Sequence, residues 1–379
     1  MRRWLIGLLL ILGVAFAQGD KLKVGFIYVG PVGDAGWTFA HDLGRKAMLE
    51  ELPNVETTVV ESVPEAEVEP VIDQLIADGV KVIFATSFGY GDGVLAAAER
   101  HPDIIFGHAT GIQRAPNVMT YIADLYQTYY INGLIAGALT KSNKLGYVGA
   151  FPIPEVKRHI DAFALGAKEV NPEAQVEVVW LNAWFSPAGA KEATQALMDK
   201  GADAFAFTED TPTVIQTAAE QDFPSFSHYA SMLNFSPETV ASGELVHWEK
   251  IYVDFLKGVM DGTYTNTNLE NLDYFWRMGE GAVEAAAKPG MVINPRYEDQ
   301  LKAYIVDDPE FGEISVYDLV FKRIEQMSKA DPEFDPFTGP IFDRKGNQVY
   351  AAGERATIPD LLSLQWAAAN VVGPWEGEP

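Results

Sequence analysis

The chain has 379 residues, 48% hydrophobic and 21% charged, which is long enough for two globular domains and too apolar for a disordered chain. A formal net charge of −25 opposes binding to nucleic acid or to an anionic membrane surface. The absence of cysteine excludes disulfides, thiolate chemistry, thiolate metal sites and a lipid-modified cysteine anchor.

Arg2 and Arg3 precede an unbroken apolar and glycine run from Trp4 to Phe16, closed by Ala15-Phe16-Ala17. That is the pattern of a cleaved secretory signal over residues 1–17, and the run falls short of the roughly 20 residues of a membrane span. The mature chain is expected to be soluble, periplasmic and not lipid-anchored. Lys23 to Val29 then reads as a strand ending in the turn Gly30-Pro31. A helix is predicted from about Thr38 to Glu51, a strand over Val55 to Val60, a helix from Pro70 to Asp78 and a strand over Val80 to Ala85. Short apolar strands alternating with amphipathic helices imply an α/β protein whose parallel sheet is covered on both faces.

The pattern recurs about 120 residues later. Lys144-Leu-Gly-Tyr-Val148 repeats Lys23-Val-Gly-Phe-Ile27. Asp161 to Val170 repeats Asp42 to Leu52, Val176 to Leu181 repeats Val55 to Val60, and Leu197 to Ala206 repeats Leu75 to Phe84. Two similar open lobes place their binding crevices at the carboxyl ends of the strands, where facing lobes can close on a ligand. Tyr121 to Ala138 reads as the hinge and the helix entering the second lobe. Phe275 to Glu284 reads as a later strand. Val316 to Ser328 reads as an amphipathic helix, the surroundings of Asp343 to Asn347 as a hairpin, and Pro359 to Val371 as a closing helix.

The loops after the strands carry Asp34, Trp37 and Phe39, then Phe88, in the first lobe. In the second they carry Phe151, Trp184 with Phe185, and Asp210. An aromatic at a strand end can cap a core, but several converging on one cleft make a slot for a flat ring, and stacking is worth about 1–3 kcal/mol per base. Carboxylates beside the slot can accept hydrogen bonds from ring N–H, amino or sugar hydroxyl groups. Asp34, Asp124 and Asp210 are the candidates, and each could equally be a solvated loop residue or a helix cap. Catalysis finds little support. The six histidines show no metal-binding helical spacing, and no Gly-x-Ser-x-Gly elbow is present. Gly89-Tyr-Gly-Asp-Gly93 has Val94 where a dinucleotide fingerprint needs its last glycine. No cofactor or metal is expected.

Several of these segments together resemble the basic membrane protein (BMP) family of ABC-importer substrate-binding proteins, which includes purine nucleoside receptors. They are Gly30-Pro-Val-Gly-Asp-Ala-Gly-Trp37, Ala85-Thr-Ser-Phe-Gly89, His108-Ala-Thr-Gly111, Phe151-Pro-Ile-Pro-Glu-Val156 and Asn182-Ala-Trp-Phe185. The likeness is strongest to a branch associated with adenine-like ligands, covers residues 21 to 290, and reaches the tail at Phe337 to Phe342 and Leu361 to Leu364. The resemblance implies the type I periplasmic binding protein fold, an α/β architecture of two Rossmann-like lobes with parallel sheets joined by a three-crossover hinge. The expected division is lobe 1 over 20–125 with a return over about 250–290, lobe 2 over 126–249, and an extension over 291–379 packing on the lobes.

The resemblance also implies roles. Trp37 and Trp184 would be the stacking pair, Phe88, Phe151 and Phe185 slot walls, Asp34 and Asp210 polar anchors, and Trp248 a further ligand-side residue. Two departures weaken ribose recognition and favour a free base. Phe226 to Met232 contains no acid, and the lysine that nucleoside-binding members carry near Trp248 is missing. The expected partners are a purine base or nucleoside, adenine-like favoured, and the membrane permease of an ABC importer. The chain is expected to be a monomer. Riboflavin as another flat ligand, and a secreted nucleoside-processing enzyme using Asp34 and Asp210, are the alternatives.

Overall fold

A computed structural model describes residues 21–377, the side chain of Asp34 excepted. The signal expected over residues 1–17 lies outside the described residues. The chain first builds a parallel sheet from β1 (Leu22–Ile27), β2 (Val55–Val60), β3 (Val82–Ala85), β4 (Ile105–Ala109) and β5 (Val118–Ala123). Between these strands run α1 (Trp37–Glu51), α2 (Val68–Ala77) and α3 (Gly91–Arg100). β3, β4 and β5 are buried along their whole length, as strands covered by helices on both faces must be.

The unit then repeats. α4 (Tyr126–Leu139) leads into β6 (Lys144–Gly149), α5 (Pro154–Val170), β7 (Gln175–Trp180), α6 (Pro187–Asp199), β8 (Phe205–Thr208), α7 (Thr213–Ala219), β9 (Ser225–Ser227) and β10 (Val240–Val246). Every residue of α4 is buried, so the helix is enclosed by packing on all sides. It packs on α5 closely enough that a Cβ on Gly133 or Gly166 would run into a carbonyl oxygen of the other helix. Local signals place the helix starts: Pro154 and Pro187 stand in the first turns of α5 and α6, and the Ser186 hydroxyl accepts from the Gly189 amide.

The chain crosses between sheets three times. It passes from β5 to α4, returns after β10 through α8 (Trp248–Asp261) to β11 (Asp273–Trp276), and crosses again to β12 (Val283–Ala285). The first sheet therefore runs β11-β5-β4-β3-β1-β2. The second runs β12-β10-β9-β8-β6-β7-β17, where β17 is Val371–Val372. This is the α/β type I binding-protein architecture expected from the sequence. Phe275 to Glu284 differs from the single strand expected there: it is split by a turn at Gly279 to Gly281, and its halves join different sheets. The stretch from 283 onward therefore pairs with the second sheet rather than continuing the return to the first.

The remaining chain forms α9 (Pro295–Ala303), a hairpin of β13 (Ile305–Asp308) and β14 (Gly312–Ser315), and α10 (Val316–Met327). A second hairpin, β15 (Ile341–Phe342) with β16 (Gln348–Tyr350), turns at Asp343 to Asn347 as expected. The helix expected over Pro359 to Val371 is much shorter, α11 (Ile358–Leu362). Beyond it, long-range partners take over the backbone. Asp161 accepts from the Ala368 amide at 2.8 Å, Asn370 donates to the Ala164 carbonyl at 2.8 Å, and Val371 pairs with Val176. Trp366, Ala367 and Ala368 are buried there, so tertiary packing overrides their helical pattern.

Candidate ligand cleft

The carboxyl ends of the two sheets face one another across a cleft. From the first lobe come Val29 after β1, Trp37 at the start of α1, Ser87 and Phe88 after β3, and Thr110 after β4. Opposite them stand Glu155 after β6, Trp184 after β7, Asp210 after β8 and Tyr229 after β9. Equivalent loops of a repeated unit thus supply both walls. The lobes touch: the Trp37 and Tyr229 rings lie 5.1 Å apart, and a Cβ on Gly36 would sit 2.7 Å from the Asp210 Cα.

The loops are braced. The Trp37 indole donates to the Thr86 carbonyl at 2.6 Å. Ser87 donates to Glu65 at 2.7 Å, and its carbonyl lies 2.9 Å from the His108 ring nitrogen. The Asp210 amide donates to the Trp184 carbonyl at 2.8 Å, tying two second-lobe loops together. Phe151 backs Trp184 with ring centroids 5.1 Å apart.

Of the residues singled out from sequence, Trp37, Phe88, Trp184 and Asp210 line the cleft. Asp34 ends the short turn Val32–Asp34 on the first-lobe side, and its side chain is not described. Phe151 stands behind Trp184, and Phe185 is 50% exposed. Phe39 packs partly buried in α1. Two residues are placed elsewhere. Asp124 is fully buried behind the cleft, accepting from Arg158 Nε at 2.7 Å and from the Tyr126 amide at 3.1 Å. Burial alone would raise its pKa, but the Arg158 charge and the His159 contact outweigh it and hold the carboxyl below the usual carboxylate range. Trp248, also fully buried, stacks on His41 at 4.1 Å in the first-lobe core, one layer beneath Trp37.

Glu155 and Tyr229 line the cleft and were passed over in the sequence. Glu155 stands in the first turn of α5, inside the segment noted for Phe151, and Tyr229 lies in the segment noted for lacking an acid. Their signal was position, the residues directly after second-lobe strands. Among the described residues no hydrogen bond or ion pair holds the Glu155 carboxyl. Burial pushes its pKa up to about 7; the Arg158 charge opposes this and the Asp124 charge adds to it. Burial and the charges of Glu155 and Asp210 keep the Tyr229 phenol protonated. Next to the slot, and sharing Phe88, Thr110 and Glu155 with it, opens a compartment bounded also by Arg158, Asp273 and Leu362.

Two hinged α/β lobes enclosing an aromatic and carboxyl-lined cleft define a small-molecule receptor of the solute-binding class. The model of the Bmp family, described as ABC transporter substrate-binding protein, PnrA-like, matches residues 21–314. The chain belongs to this family. It is 38% identical over 363 residues to a purine-binding protein of Brucella abortus, covering 95% of this chain and 96% of that one. It is 36% identical over 287 residues to a putative ABC transporter glucose-binding protein of Haloferax volcanii, covering 76% of this chain and 72% of that one. Among solved structures, an ABC transporter solute-binding protein from Aeropyrum pernix superposes with a TM-score of 0.65 at 18% identity, covering 81% of this chain and 91% of the other. That likeness concerns the fold.

Proposed function

We propose that the protein is the extracytoplasmic receptor of an ABC importer for a purine base, with an adenine-like ligand favoured, and that it binds without chemical turnover. The observation that carries this reading is the pairing of Trp37 and Phe88 from one lobe with Trp184 and Tyr229 from the other around one slot. Such walls suit the two faces of a flat ring, and Asp210 and Glu155 supply hydrogen-bonding groups at its edge. The Brucella abortus relative, named for purine binding, supports the same ligand class. The adjoining compartment favours a second reading, a nucleoside whose sugar projects past Glu155 toward Asp273. The signal pattern read over residues 1–17 supports export to the periplasm, and the lack of cysteine supports a receptor without a cysteine-linked lipid anchor; in this reading it acts as a monomer that hands its ligand to a membrane permease.

Native mass spectrometry of the purified protein, then a melting-temperature screen, tests this. The ligands are adenine, guanine, adenosine, guanosine, riboflavin, ribose and glucose. A ligand at about a thousand times its Kd stabilises the folded state by about 4 kcal/mol. A shift with adenine or another base supports the reading, and a larger shift with the nucleoside favours the second. Stabilisation by glucose or riboflavin alone, on ligand-free protein, would remove the purine assignment.

A further inference from the structure

We infer that Glu155 selects the ligand as an uncharged carboxyl, donating to a ring nitrogen and accepting from the adjacent amino group of a 6-aminopurine. The inference rests on the purine reading of the cleft. Its geometric basis is the contrast between two acids on neighbouring surfaces. Arg158, one turn along α5 from Glu155, is committed to Asp124 through its Nε and a second nitrogen. Glu155 is left without an ion pair or hydrogen bond among the described residues, half-buried, at the junction of the slot and the side compartment.

A carboxyl so placed is costly to charge, because it is buried and the cation that acts on it, Arg158, is already paired with Asp124. Other groups facing it do not supply a replacement. Asp210 and Tyr229 share its wall of the slot, Asp273 borders the side compartment, and Asp124 with His159 lies behind Arg158. Burial lowers the pKa of His159, so that ring is neutral near pH 7. With a pKa of about 7, Glu155 is therefore poised between two recognition patterns. Uncharged, it offers one donor beside one acceptor, the complement of adenine's ring nitrogen and 6-amino group. Charged, it offers two acceptors, the complement of guanine's adjacent N–H and 2-amino donors.

Adenine affinity should thus be greatest below pH 7 and fall above it by about tenfold per pH unit, whereas guanine affinity should not fall. Isothermal titration of the full chain with adenine and with guanine from pH 6 to 8.5 reads this, and the Glu155→Gln variant separates it from every other group that titrates in that range. Glu155→Gln keeps a donor and an acceptor but cannot titrate. It should bind adenine without the pH slope, while Glu155→Ala should lose about tenfold or more at pH 6. Melting curves without ligand check that both variants fold. Adenine binding with a flat profile in the unsubstituted protein, or a slope that survives in Glu155→Gln, overturns the role of Glu155 and leaves the purine reading intact. Absence of binding by any purine at any pH overturns both.

Discussion

Replacing Gly36 by alanine adds one methyl group where the two lobes meet. Built on the backbone, that Cβ lies 2.7 Å from the Asp210 Cα, 3.0 Å from its carbonyl carbon and 3.1 Å from its Cβ, all nearer than the 3.4 Å at which ordinary contact begins. Two of the three atoms are backbone, so no rotamer change relieves the clash, and the lobes must part. The cost falls on the ligand. On the proposed reading, an open cleft should forfeit part of the Trp184 stacking, about 1–3 kcal/mol, and part of a hydrogen bond to Asp210, about 1.5–3 kcal/mol, which together should weaken binding roughly 100- to 1,000-fold. The fold should be spared, because the contact lies between lobes and not within a core. Gly33→Ala in the same loop is the control, since nothing stands within 4 Å of a Cβ there. Calorimetric titration with the purine that binds the unsubstituted protein, paired with small-angle scattering for closure, measures the effect. Affinity in Gly36→Ala within about threefold of the Gly33→Ala control would refute the claim that ligand retention requires this closed contact.

Trp184→Ala should weaken purine binding by about 1–3 kcal/mol while ligand-free melting moves little, because Trp184 is only partly buried. Trp37→Ala should also cost stability, about 3–5 kcal/mol by urea unfolding, because that indole is 7% exposed and packs on His41 and Trp248. Asp124→Asn should destabilise the fold by about 3–5 kcal/mol, since it leaves Arg158 charged and buried without its counter-ion. Asp124 has a folded pKa held below its ordinary value, so its contribution is complete above the unfolded value near 4 and is lost as pH falls through the folded one. Melting of the unsubstituted protein should therefore decline more steeply below pH 4 than that of Asp124→Asn; parallel declines would refute it. Leu362→Trp, at the wall of the side compartment, should cost adenosine about tenfold and adenine less than about threefold. Equal losses for both in competition titrations would place the sugar elsewhere.

The parts of this molecule legible in its sequence are those set by local periodicity. β1, β3, β6 and β8 read as strands because both their faces are covered, which turns each into an apolar run. Their repetition at a fixed offset exposed the two lobes, and with them the loops that hold Trp37, Phe88, Trp184 and Asp210. What stayed hidden was partnership. Asp124 looked like a cleft acid, but Arg158, 34 positions away, takes it out of play. Trp248 sits on a helix start as a ligand-side residue would, yet α8 packs on α1 and turns it into the layer beneath Trp37. Pro359 to Val371 carries a helical pattern that the hydrogen bonds from the Ala368 amide to Asp161 and from Asn370 to the Ala164 carbonyl dismantle. No local rule could announce these contacts, since each joins segments far apart in the chain.

The same long-range contacts explain why a tail beyond the matched family segment belongs to the working molecule. The Asp124 amide donates to the Trp276 carbonyl at 2.7 Å, joining two of the three crossings. Two residues on, the Tyr126 hydroxyl donates to Asp335 in the tail at 2.6 Å and accepts from Arg277 at 3.2 Å. Further along, Arg158 donates to the Leu361 carbonyl at 3.3 Å and Lys157 to the Glu376 carbonyl at 2.5 Å. The tail is thus fastened to the start of α4 and to α5, the helix that carries Glu155, and Leu362 closes one wall of the side compartment. A segment so attached, with β17 paired to β7, is built into the second lobe. It braces α5, and with it the Glu155 carboxyl at the edge of the cleft.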